Sequence, residues 1–157
     1  MSKSIEEKIN KCIEIAKCLK NQKETGRSFH CTFIFDKGKL LSIGCNNYKK
    51  LHKRHIFGIY KGTKDNPERY IPSIHSEIDA ISRLKNFDFN KYTFVNTRID
   101  KNNKVNIAKP CENCLSVLIR YGFKRILYTI DDLSYGCIFS NSSKEQEDKK
   151  IGIVSPT

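Results

Sequence analysis

Near the start of the chain, Ile5, Ile9, Cys12, Ile13, Ala16 and Leu19 recur at steps of three and four, with charged side chains between them. That period predicts a packing helix over residues 4–20, and Ser4 with Glu7 reads as its capping box. The pattern then shortens. Residues 31–35 and 39–45 are strand-like runs joined by Asp36-Lys37-Gly38, which predicts a hairpin with glycine at the left-handed position. Helical spacing returns at residues 74–86, where Ile78, Ala80, Ile81 and Leu84 would form a buried face. Residues 92–99 are rich in β-formers and read as a central strand, followed by a turn at 100–104 and a return through 105–108. A second short helix is expected from Cys111 to about Tyr121, with Leu115, Leu118 and Ile119 inward and Gly122 as its stop. Residues 125–130 form the next strand.

Only six residues, 131–136, separate that strand from the apolar run 137–139, too few for a helical crossover to a parallel partner. A strand there pairs antiparallel, by hairpin. Beyond Ser140 the chain turns polar, which suits a partly disordered tail, although residues 151–154 could themselves be a last strand.

Composition changes this picture in two places. A length of 157 residues with 38% hydrophobic content fits a single domain with a real core. Seven cysteines, an odd number, and an N-terminus without an apolar core suggest a cytoplasmic protein with reduced thiols and no membrane association. The second change is charge. Of a net +12, half lies in residues 47–64, which hold Lys49, Lys50, Lys53, Arg54, Lys61 and Lys64 and no acid. Tyr48, Phe57 and Tyr60 interleave with them, the composition of a loop (47–74) that binds polyanions. A genome-wide lysine bias would also raise the total. His52 and His55 lack a matching cysteine or acid for a second metal, and read better as surface or phosphate-facing residues.

Two short motifs carry the chemistry. His75 and Glu77 give H-x-E at the start of one predicted helix, and Pro110, Cys111 and Cys114 give P-C-x-x-C at the start of the other. Cys111 and Cys114 share a helix face, and a helix N-terminus favours thiolate, the metal-binding form. His75 and Glu77, two apart, converge only in a first turn, so the sequence calls for two helix N-termini aimed at one metal. One imidazole and two thiolates make three zinc ligands, which leaves a fourth tetrahedral position for water. Glu77 is then an acid/base group beside it. A closed structural site with Cys31 or Cys45 as fourth ligand, or a redox pair, are the competing readings of the cysteines. The first has no use for Glu77, and the second needs neither Glu77 nor His75.

Together the motifs resemble the cytidine/deoxycytidylate deaminase superfamily, whose zinc signature they match, and the likeness extends to Gly44-Cys45-Asn46. It implies an α/β/α sandwich with a mixed sheet of about five strands and both zinc helices on one face. It also implies hydrolytic deamination at C4 of a cytosine, or at C6 of an adenine, with Zn2+ on His75, Cys111 and Cys114 and Glu77 as proton shuttle. Asn46 would orient the sugar, and the backbone around Ala108 and Pro110 would hold the ring edge. Lys49, Lys50, Lys53 and Arg54 would meet phosphate. The substrate is then a free (deoxy)cytidine nucleoside or nucleotide, or else a base in single-stranded DNA or RNA. A catalytically silent zinc module that binds nucleic acid is the third reading, disfavoured by the intact Glu77. The short hairpin after Ile130 resembles the free-nucleoside branch, whose members assemble as homo-oligomers.

Overall fold

The computed structural model describes residues 4–23, 28–46, 75–140 and 146–152. The elements are helix α1 (Ile5–Lys23), strands β1 (Phe29–Asp36) and β2 (Lys39–Cys45), and helix α2 (Ser76–Ser82). A single 3-10 turn (Phe89–Lys91) leads into β3 (Tyr92–Ile99) and the two-residue β4 (Val105–Asn106). Helix α3 (Glu112–Tyr121), β5 (Arg125–Asp131), β6 (Ser134–Ser140) and β7 (Gln146–Gly152) complete the order.

The strands form one mixed sheet in the order β2-β1-β3-β5-β6-β7, with β4 beside β3. β3 and β5 run parallel, as a crossover through α3 requires. The other pairings are antiparallel, including the β5–β6 hairpin that the short 131–136 link demanded. Strand alternation divides the core in two. Phe29, Cys31, Phe33, Phe35, Val95 and Ile99 turn towards α1 and pack with its Ile9, Cys12, Ile13 and Ala16. Ile34, Phe94, Ile126 and Ile138 turn to the opposite face, with Ala80 and Ile81 of α2 and Leu118 of α3. This is the three-layer α/β/α sandwich. Full burial of side chains such as Phe33, Phe94 and Phe123 contributes roughly 1.5–3 kcal/mol each.

One glycine positions the site. A Cβ on Gly44 would lie 2.2 Å from the backbone nitrogen of Ala80 and 2.3 Å from the carbonyl oxygen of Ser76. Only a residue without a side chain lets α2 lie directly on β2. Asp79 then locks the contact, its Oδ2 accepting the Cys45 N–H at 2.9 Å.

Several expectations are corrected. The sheet has six strands in line plus β4, against about five expected. β7 overlaps the alternative last strand at 151–154 but begins five residues earlier, inside the stretch read as a polar tail; its sequence, QEDKKIG, has no alternating apolar signal, and it pairs with β6 through the backbone. In the β1–β2 turn Lys37, at φ 54°, takes the left-handed position in place of Gly38, and its carbonyl accepts from Lys8 Nζ at 2.8 Å. In α3, Val117 joins Leu118 as a buried residue, while Leu115 and Ile119 are only partly covered. The basic loop at 47–74, with Lys49, Lys50, Lys53, Arg54, His52 and His55, lies outside the described residues. Among the described residues no helix is long and apolar enough to cross a membrane.

Candidate active site

The two motifs meet on the α2/α3 face of the sheet. His75 is the N-cap of α2, with extended φ/ψ of −74° and 147°, so its side chain leaves before the helix begins. Glu77 lies inside the first turn. That break in backbone conformation is how residues two apart come to serve one site. Cys111 is likewise the N-cap of α3, its Sγ accepting from the Cys114 N–H at 3.5 Å.

His75 Nδ1 lies 3.8 Å from Cys111 Sγ and 3.5 Å from Cys114 Sγ. The three donor atoms all fall within 4.8 Å of one another. Zinc bonds of about 2.3 Å to sulfur and about 2.0–2.1 Å to nitrogen, at tetrahedral angles, span donor edges of about 3.6–3.8 Å. The donor set therefore fits zinc in both type and spacing. Cys31 and Cys45 are not its fourth ligand: their sulfurs lie 3.9 Å from each other, and both side chains pack with the α1-side core.

Protonation suits metal binding. The Cys111 thiol is pushed down to about 4, first by its hydrogen bond with Cys114, with burial opposing and His75 assisting. It is held as thiolate, the ligating form. Burial pulls His75 down, but hydrogen bonding to Cys111 and the charge of Glu77 more than reverse this and raise it. A thiolate–imidazolium pair can exchange its shared proton for a cation.

Glu77 is 5% exposed, and burial drives its carboxyl above the usual carboxylate range. Its own backbone N–H, His75 and Asn96 pull in the other direction without cancelling the rise. Asn96 Nδ2 donates to Glu77 Oε1 at 2.8 Å and to the Ala108 carbonyl at 2.9 Å. Its Oδ1 lies 2.6 Å from Thr32 Oγ1, which in turn is 2.7 Å from Ser76 Oγ. The hydroxyls fix which end of the amide faces the carboxylate.

Of the residues picked out in the sequence, His75, Glu77, Cys111 and Cys114 are brought together. The Ala108 N–H is committed to the Thr129 carbonyl at 2.8 Å, anchoring the approach to Pro110, which is buried. Asn46 extends the β1–β2 ladder: its N–H donates to the His30 carbonyl at 3.2 Å, and its Oδ1 accepts the His30 N–H at 3.1 Å.

Asn96, Thr32, Ser76 and His30 had no assigned role in the sequence reading. Asn96 did leave a trace, as an amide in the middle of an otherwise strongly β-forming run. His30 left none, since only folding brings it near the metal residues. Its imidazole is pushed down to about 4, by burial first and then by the charges of Arg98 and His75, with Cys111 opposing.

Comparison with individual curated proteins gives no match. Comparison with protein families matches residues 2–130 to the cytidine and deoxycytidylate deaminase zinc-binding region, a span that takes in α1, both motifs and β5 up to Ile130. By that match over most of its length, and by a fold and metal-donor triad that agree with it, the chain belongs to the cytidine/deoxycytidylate deaminase superfamily.

Proposed function

We propose that this protein is a zinc-dependent hydrolase that deaminates the cytosine of a free (deoxy)cytidine nucleoside or nucleotide, giving the uracil product and ammonia. The observation that carries the reading is Glu77, a buried carboxyl with a raised pKa, held by Asn96 beside three metal donors. A purely structural metal site has no use for such a group.

A zinc ion held by His75, Cys111 and Cys114 would supply Lewis-acid activation of water at neutral pH. Glu77 accepts a proton from water as its oxygen adds to C4 and passes that proton to the ring nitrogen N3. It then moves the second water proton to the departing amino group, and the C4–N bond breaks to release ammonia. Water supplies the oxygen of the product carbonyl, so atoms balance without a further reactant. Asn96 holds Oε1 and thereby limits the carboxyl to one orientation.

The antiparallel β5–β6 hairpin supports a free substrate, since that connection resembles the free-nucleoside branch of the superfamily. The basic stretch at 47–64 favours the second reading, cytosine or adenine in a single strand of DNA or RNA. Ammonia release from CMP, dCMP, cytidine, deoxycytidine and short single strands, measured in parallel, separates the two. Glu77→Gln keeps fold and zinc in this scheme but loses turnover by about 10²–10⁴-fold. Turnover by that variant at the wild-type rate defeats the mechanism, and loss of its zinc makes Glu77 a ligand.

A further inference from the structure

One rung of the sheet beyond Glu77 carries polar groups that the chemistry above does not use. Thr32 and Asn96 are opposite each other on β1 and β3, and both belong to the network that holds the catalytic carboxyl. Two residues along each strand, on the same face, stand His30 and Arg98, again directly opposite each other. On the other side of His30 lies Asn46, tied to it by main-chain and side-chain hydrogen bonds. Asn46, His30 and Arg98 thus form a row across β2, β1 and β3, about 7 Å from the rung that serves Glu77.

Two donors in this row are buried and lack a hydrogen-bond partner among the described residues: Asn46 Nδ2 and Arg98 Nε. Buried donors are nearly always paired, so two unpaired ones flanking a single histidine need an acceptor. The other Arg98 contact is neutral, Nη2 donating to Ser28 Oγ at 3.3 Å. No carboxylate pairs with the guanidinium among the described residues. Its charge, its planar donors and the neighbouring amide together suit an oxygen-rich anion.

We infer that the Asn46–His30–Arg98 row receives the phosphate-bearing end of the substrate, with Arg98 as the charged donor to a single phosphate. This rests on the deaminase reading and narrows it to a cytidine mononucleotide. One guanidinium matches one phosphate. A strand presents several in succession, and this row has no second cation to follow them.

The test uses the zinc-loaded full chain. Arg98→Gln raises KM for dCMP and CMP about tenfold or more while the KM values for deoxycytidine and cytidine hold. Zinc content and kcat stay level, and Arg98→Lys, which keeps the charge but not the planar fork, recovers part of the loss. Equal effects on nucleotide and nucleoside, or none on either, overturn the inference. If Arg98→Gln fails to fold, the wild-type protein decides: dCMP must outcompete deoxycytidine by about tenfold, and inorganic phosphate must compete with dCMP. Equal affinities, no competition by phosphate, or a preference for a short single strand over dCMP each overturn it. Calorimetry on Glu77→Gln separates the two levels of argument. Phosphate-dependent binding of dCMP there, with no wild-type turnover of any cytosine substrate, supports the row and defeats the deaminase reading; turnover without phosphate preference does the reverse.

Discussion

Asn96 Nδ2 and Glu77 Oε1 are 2.8 Å apart, a hydrogen bond between the central strand β3 and the first turn of α2. The same amide nitrogen reaches the Ala108 carbonyl at 2.9 Å, in the segment that leads to the cysteines. One side chain therefore sets the position of Glu77 relative to both halves of the candidate metal site. Its own orientation is fixed by Thr32, from the neighbouring strand β1.

Replacing that amide has a defined cost. Asn96→Ala leaves the Glu77 carboxyl, the Thr32 hydroxyl and the Ala108 carbonyl short of a partner, at about 1–3 kcal/mol of stability. Turnover should fall about 10- to 100-fold while zinc content stays level, because no ligand is touched. Asn96→Asp places an acceptor against the carboxylate and raises Glu77 further, so the acid limb of the pH–rate profile moves to higher pH. Thermal melts, elemental analysis and a pH series check these points. An unchanged rate for Asn96→Ala would remove its positioning role.

Metal and stability are linked through the two helix N-caps. Cys111→Ser and Cys114→Ser should each abolish stoichiometric zinc and lower the melting temperature, since binding free energy is shared with folding. Serine at 111 keeps an oxygen that can accept the Cys114 N–H at the α3 N-cap, so the loss in that variant reports on the metal rather than on the cap. One zinc per chain in both variants, by elemental analysis, excludes the three-ligand site.

His30 makes stability depend on mild acid. Its pKa is about 4 in the folded protein against 6.5 for an unperturbed imidazole. Between those values the unfolded chain binds more protons, so stability rises with pH across the window and is lost as pH falls through it. The contribution is at most about 3 kcal/mol. Melting temperatures taken from pH 7 to 4.5 should drop for the wild type and drop less for His30→Asn, which cannot be protonated. Parallel curves for the two proteins would show that His30 does not titrate in this range.

The basic loop gives a separate readout of substrate class. Neutralising Lys49, Lys50, Lys53 and Arg54 together removes four charges and leaves the metal residues alone. With a mononucleotide, the loss is mainly in KM and depends weakly on salt. With a strand, each phosphate contact adds about −0.7 to the slope of log K against log salt, and the quadruple variant flattens that slope. The expected result is the mononucleotide behaviour. Strong oligonucleotide deamination with a steep salt slope, and none on CMP or dCMP, reverses it.

The sequence by itself singled out the candidate metal donors and Glu77, because His75, Glu77, Cys111 and Cys114 lie in two short motifs whose spacing is set by local helix geometry. Any strand at 137–139 had to pair antiparallel for a similar reason, since a six-residue link excludes a crossover whatever surrounds it; that a strand forms there is seen only in the structure. Gly44 belongs between the two cases. Its place beside Asn46 was visible in the resemblance, yet the reason for a glycine appears only when the α2 backbone is seen within 2.3 Å of where its Cβ would stand. Tertiary structure alone decided the remainder. Asn96 meets Glu77 across 19 positions and Thr32 across 64, and His30 faces Arg98 only because β1 pairs with β3 in one register. Slipping β1 by one residue would turn Thr32 and His30 towards α1 and away from Asn96 and Arg98, since alternation along a strand has a period of two. No local pattern records such a choice; it is made by packing two apolar faces of one sheet against α1 on one side and α2 and α3 on the other.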